Sequence, residues 1–164
     1  MNITELYEAL TSESTGTYVG RKLDEVSRQA IKLLQKDLGL TSDATKEEDL
    51  HVTLMYSFDN LRSDFLPNSK DISSDTKNAE LAWFGKNNDY LVLKLGCRKL
   101  KSRHDEIAAY GVKHTYNPYE PHITLAYDVA NPADIDLSAG IIPARLTFVN
   151  EYFDKLDLEW KKGR

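Results

Sequence analysis

The sequence predicts a single two-lobed, pseudo-symmetric α/β (α+β) domain over residues 1–164, with mainly antiparallel sheets forming a central cleft. Three observations carry this. His51-Val52-Thr53-Leu54 returns 71 residues later as His122-Ile123-Thr124-Leu125, and the copies differ only in a β-branched residue. Each copy follows a helical pattern closed by glycine: Gly39 stands twelve positions before His51, and Gly111 eleven before His122. A chain of 164 residues, 41% hydrophobic and 29% charged, buries one sizeable core and is too short for two ordinary domains.

In chain order, Ile3, Leu6, Tyr7 and Leu10 recur at helical spacing and predict a short amphipathic helix over 3–11. Residues 16–23 read as a strand despite two glycines. Asp24 is positioned to N-cap a helix over 25–38, with Val26, Ala30, Leu33, Leu34 and Leu38 as its buried face and Gly39 ending it. A polar loop leads to the first His-x-Thr strand. Residues 58–76, rich in Asn, Asp, Ser and Lys, read as a surface loop mobile enough to act as a lid. Residues 78–85 and 89–96 flank the turn-forming Lys86-Asn87-Asn88 and predict a hairpin. Leu100, His104, Ile107, Ala108 and Gly111 give a second glycine-closed amphipathic helix before the second His-x-Thr strand. Residues 132–140 predict a short turn or helix, 144–156 a strand, and 161–164 a frayed basic tail.

Side chains alternate along a strand, so each motif puts His and Thr on one face and Val or Ile with Leu on the other. The polar pairs line a cleft that the apolar pairs anchor. Two imidazoles and two hydroxyls facing one another make a small acid–base device. A neutral His takes a proton, a protonated His donates one, and the threonines hydrogen-bond phosphate oxygens. These residue types point to phosphodiester chemistry. Zinc is the rival use of paired histidines, but neither copy has the His-Glu-x-x-His spacing or a cysteine pair. No metal and no cofactor are expected.

On these motifs the chain resembles the 2H phosphoesterase superfamily, marked by two His-x-Thr motifs about half a domain apart on a two-lobed fold. Read more widely, it is most similar to the anti-CBASS phosphodiesterases of tailed phages. That similarity runs from Met1-Asn2-Ile3 through Gly16-Thr17-Tyr18-Val19-Gly20 and Leu50-His51-Val52-Thr53-Leu54-Met55-Tyr56 to Pro121-His122. The resemblance implies a metal-independent phosphodiesterase that cleaves cyclic di- or trinucleotide messengers such as cGAMP to linear products, so that a phage evades CBASS immunity. His51, Thr53, His122 and Thr124 are then the catalytic residues. Two further readings fit the same motifs: an RNA-end or 2′,5′-oligonucleotide phosphodiesterase, and a module that sequesters a nucleotide without turnover.

Outside the motifs, Tyr18 and Lys22 share a side of their strand, as a base platform with a phosphate-directed cation or as plain surface. In Glu80-Leu81-Ala82-Trp83-Phe84 either Trp83 or Phe84 faces the core, and the resemblance turns Trp83 toward ligand. Tyr116 and Tyr119, flanked by prolines, are cleft wall or loop packing. Glu151 alternates with Val149 and Phe153, and a carboxylate on an apolar face needs a partner: a nucleobase edge, a catalytic His, or a structural Arg or Lys. Tyr18, Lys22, Trp83, Tyr116 and Glu151 are taken as substrate contacts. His104 lies on an apolar helix face as a structural histidine, His114 contacts ligand or solvent, and Cys97 is a small buried residue.

Composition narrows the partners. The net charge of −5 argues against a long, nonspecific nucleic-acid footprint, which needs clustered Lys and Arg. A small anionic ligand in a locally basic cleft remains compatible. No apolar run of about 18 residues predicts a membrane span, and the N-terminus lacks signal-peptide regions. The single cysteine forms no internal disulfide. A cytoplasmic protein is expected, in the infected host if the phage resemblance holds.

Overall fold

The computed structural model describes residues 16–156; the helix expected over 3–11 and the tail over 161–164 lie outside the described residues. Strand β1 (Thr17–Leu23) leads into helix α1 (Glu25–Asp37). Then come β2 (His51–Ser57), β3 (Ile72–Asp75), the hairpin β4 (Glu80–Phe84) and β5 (Tyr90–Lys94), helix α2 (Arg98–Ala108), β6 (His122–Ala126) and β7 (Arg145–Lys155). Two 3₁₀ turns, Pro132–Asp134 and Leu137–Ala139, fill the stretch expected as a short turn or helix. The strands form one antiparallel sheet in the order β3-β7-β1-β2-β6-β5-β4. Among the described residues, no helix is long and apolar enough to cross a membrane.

The helix ends follow the local chemistry of the sequence. The Asp24 carboxylate accepts the Ser27 N–H at 2.9 Å, satisfying one of the donors that an α-helix leaves open at its start. At the other end the Leu40 N–H reaches the Gln35 carbonyl and the Gly39 N–H the Lys36 carbonyl. This turn needs a left-handed residue, and Gly39 supplies it at φ +73°.

The buried face of α1 departs from expectation. Val26 and Leu33 are 78% and 59% exposed, whereas Ser27, Ile31, Leu34 and Gln35 are buried. The two polar residues are inside because the sheet uses them. Ser27 Oγ accepts the Thr147 N–H at 2.8 Å, and Gln35 Nε2 donates to the carbonyls of Thr45 and Leu125 at 3.0 and 2.9 Å.

The loop after β2 is shorter than expected and is tied down. Ile72–Asp75 pairs with β7 as the sheet's edge strand. Ahead of it, Arg21 donates to the carbonyls of Lys70 and Asn68, and Arg103 to that of Leu66. Buried guanidinium groups hold this segment against the face of the sheet that carries the helices, a different position from the expected lid over the cleft.

The centre of the sheet positions the site. Strands β2 and β6 meet only at Val52 and Ile123. Their antiparallel course sets His51 across from Thr124 and Thr53 across from His122. Val52, Leu54, Ile123 and Leu125 are fully buried among Ile31, Leu34, Leu100 and Ile107. Burial of such side chains is worth about 1.5–3 kcal/mol each and anchors both motifs from below. Each strand also bulges one residue past its Thr. β1 pairs with Thr53 and Met55 but skips Leu54, and β5 pairs with Thr124 and Ala126 but skips Leu125. Past the central pair the strands part, and the cleft opens between them.

Candidate active site

The four motif residues share the cleft face, as period-2 alternation requires. His51, Thr53, His122 and Thr124 are half-buried, while their neighbours Val52, Leu54, Ile123 and Leu125 are buried on the other side. His51 Nδ1 lies 2.7 Å from the Asp49 carbonyl and His122 Nδ1 2.8 Å from the Glu120 carbonyl. A carbonyl only accepts, so in each ring Nδ1 carries the proton and Nε2 is left as the acceptor on the cleft side.

Both rings are held below the ordinary imidazole range. For His51 burial is the main cause, reinforced by the charges of Lys22 and His122 and opposed by the Asp49 carbonyl. For His122 burial again leads, opposed by the bond to the Glu120 carbonyl and by the Glu120 charge. Both rings are therefore mainly neutral at pH 7, ready to accept a proton.

Tyr18 sits inside the site. Its hydroxyl lies 2.8 Å from Thr53 Oγ1, and its ring stands edge-on to His51 at 6.1 Å. Burial, with Tyr152 beside it, pushes the phenol well above its usual value, so it stays protonated. When it donates to Thr53 Oγ1, the threonine hydrogen is free to point into the cleft. Lys22 follows four residues on, its Nζ 3.1 Å from the Glu48 carbonyl and 5.4 Å from the centre of the Tyr152 ring. Beside His51 opens a cleft of about 630 Å³, lined among others by Lys22, Lys46, Tyr127 and Tyr152. Tyr116 is half-exposed, its ring 5.5 Å from Tyr56.

Two of the expected substrate contacts lie on the wrong face. Trp83 pairs with Leu91 and packs against the core, whereas its neighbour Phe84 puts its ring 5.0 Å from His122. Alternation demanded that one of the two face inward; the register of β4 on β5 chose Trp83. Glu151 is likewise turned away. Its carboxylate is fully buried, meeting Arg103 at 2.7 and 2.9 Å, Arg21 at 3.2 Å and the Asn68 N–H at 2.6 Å. Burial pushes this carboxyl up, but Arg103, Asn68 and Arg21 outweigh it and hold it below its usual value. The cause is a bulge at Asn150, which adopts φ +51°. Simple alternation puts Glu151 with Val149; the extra residue moves it to the Arg21 side and brings Tyr152 into the cleft instead.

Tyr152 and Phe84 are thus the cleft aromatics that sequence reasoning missed. Gly20 was the available signal for Tyr152, because a Cβ there would stand 2.9 Å from its hydroxyl. His104 is structural, as expected: buried, with Nδ1 2.6 Å from the Leu54 carbonyl. Tyr119 is buried, and its hydroxyl donates to the Thr53 carbonyl at 2.6 Å. His114 accepts the Tyr56 N–H at 3.1 Å. Cys97 is buried and free. Among the described residues, no group of three or more His, Cys, Asp and Glu is arranged to hold a metal ion.

Known proteins match both the fold and the sequence. A crystal structure of a phosphoesterase superposes with a TM-score of 0.59 at 12% identity, covering 85% of this chain and 86% of that one. E. coli LigT complexed with 3′-AMP superposes at 0.57, again at 12% identity, over 87% and 95%. The architecture is that of the 2H phosphoesterases. By sequence, the anti-CBASS protein Acb1 of Vibrio phage KVP40 is 34% identical over 148 residues, spanning 90% of this chain and 92% of the relative. That of Enterobacteria phage T4 is 31% identical over 147 residues, with the same shares. The family model described as anti-CBASS protein Acb1 matches residues 15–163. A match over nearly the whole chain, on the fold and motifs described above, establishes that the chain belongs to the anti-CBASS protein Acb1 family.

Proposed function

We propose that this protein is a metal-independent phosphodiesterase that opens a cyclic di- or trinucleotide messenger of the cGAMP type to a linear product, in the cytoplasm of the infected bacterium. The observation that carries the proposal is the matched commitment of His51 and His122, each with Nδ1–H given to a carbonyl and Nε2 turned to the cleft. One neutral imidazole takes a proton from the attacking hydroxyl. The other, charged once a phosphodiester anion lies beside it, protonates the departing 5′ oxygen. Thr53 and Thr124 hold the nonbridging oxygens, with Tyr18 orienting the Thr53 hydroxyl. Lys22 adds positive charge at one end of the cleft, and Tyr152 and Phe84 offer aromatic faces to the bases. The 3′-AMP complex of LigT, a protein of the same fold, supports a nucleotide ligand.

The test is product analysis. Cyclic dinucleotides, cyclic trinucleotides and linear 2′,5′-linked oligonucleotides are incubated with the protein in chelator, and products are separated by chromatography and mass. Linear products from cyclic substrates are expected. Cleavage confined to 2′,5′-linked linear RNA overturns the substrate assignment, and tight binding without product identifies a sequestering module.

A further inference from the structure

The bulges that follow both catalytic threonines leave main-chain groups outside the strand ladders, and in each lobe buried side chains take them up. In the second lobe Gln35 Nε2 donates to the Leu125 carbonyl at 2.9 Å. In the first, His104 Nδ1 stands 2.6 Å from the Leu54 carbonyl, the equivalent position. Two more side chains serve the same edge of β2. The Tyr119 hydroxyl donates to the Thr53 carbonyl at 2.6 Å, and His114 Nδ1 accepts the Tyr56 N–H at 3.1 Å. The three rings brace one another: Tyr119 lies 4.0 Å from His104 and 5.2 Å from His114, and His104 and His114 meet edge-on at 5.1 Å.

We propose that Tyr119, braced by His104 and His114, is the positioning residue for Thr53, gripping its main-chain carbonyl so that its hydroxyl is fixed against the substrate phosphate. The inference rests on the phosphate-holding role of Thr53 given above. Thr53 is then held from two sides, its hydroxyl by Tyr18 within the cleft and its carbonyl by Tyr119 from the other strand edge. Thr53 is the last paired residue before the ladder is interrupted at Leu54, and small displacements of a positioning group are costly to turnover. Tyr119 is buried, and burial, with Cys97 nearby, pushes its phenol up, so it remains a donor at every working pH.

Tyr119→Phe removes only the hydroxyl and keeps the ring stacked on His104. With cGAMP as the probe, kcat is expected to fall by about tenfold while KM changes by less than about twofold. The backbone amide signals of Thr53 and Leu54 should shift in a nitrogen-15 spectrum. In a Thr53→Ala background the same substitution is expected to cost nothing further, as a residue acting only through Thr53 must. A wild-type kcat in the single variant, or an undiminished loss in the double variant, overturns the proposal. Thr53→Ala alone tests the reading underneath: a wild-type rate there removes the phosphate-holding role itself.

Discussion

His51 and His122 make the same hydrogen bond, from Nδ1 to the main-chain carbonyl two residues earlier, at 2.7 and 2.8 Å. The bond fixes tautomer and ring plane together, so in the proposed mechanism the two Nε2 atoms are set for proton transfer before substrate arrives. His51→Ala and His122→Ala should each lower turnover of a cyclic dinucleotide by at least roughly a hundredfold, the lower end of what a placed acid or base contributes. Affinity and melting temperature should change little. Near-native turnover in either variant removes that histidine from the mechanism.

The pH profile follows from the direction of the shifts. The proposed mechanism needs one ring neutral and one charged, a form populated between the two histidine pKa values. Burial places both below the ordinary 6.5 in the free protein. The bell in kcat/KM is therefore expected to peak on the acid side of pH 6.5. The bell in kcat should lie at higher pH, because a bound phosphodiester anion favours the imidazolium. A kcat/KM maximum on the alkaline side of neutrality contradicts this account.

Trp83 and Phe84 should separate cleanly on substitution. Phe84→Ala removes a ring next to His122 and should weaken substrate binding by about 1–3 kcal/mol while sparing stability. Trp83→Ala opens the core and should lower the melting temperature with affinity unchanged. The reverse assignment of effects would place Trp83 in the cleft.

Glu151→Gln leaves Arg21 and Arg103 without their carboxylate on the helix side of the sheet. Breaking a buried ion pair from one side costs about 3–5 kcal/mol, which urea unfolding will register. Turnover per folded molecule should persist at permissive temperature. Stability unchanged but nucleotide affinity lost would reassign Glu151 to the ligand.

The nucleophile can be identified chemically. Two histidines are well suited to deprotonate a ribose hydroxyl already held beside phosphorus, where proximity supplies much of the rate. In a 3′–5′ linkage this is the 2′-hydroxyl, and the first product is a 2′,3′-cyclic phosphate. A cyclic dinucleotide with 2′-deoxyribose beside the scissile linkage should bind and resist cleavage. Cleavage at a comparable rate, with solvent oxygen-18 entering in the bond-breaking step, establishes direct attack by water.

The repeated His-x-Thr-Leu motif, the Asp24 cap and the Gly39 stop were legible because their physics is local: strand alternation, an open N–H, a left-handed turn. From them followed the apolar anchors beneath each motif and the cleft-facing histidines and threonines. Tertiary structure decided what local periodicity cannot carry. A single bulge at Asn150 moved Glu151 to the Arg21 side and Tyr152 into the cleft, because one extra residue reverses every later side chain relative to simple alternation. The pairing of β4 with β5 chose between Trp83 and Phe84, and the carbonyl freed at Leu125 drew Gln35 inside. These outcomes depend on partners dozens of residues away in the chain, so only the assembled sheet determines them.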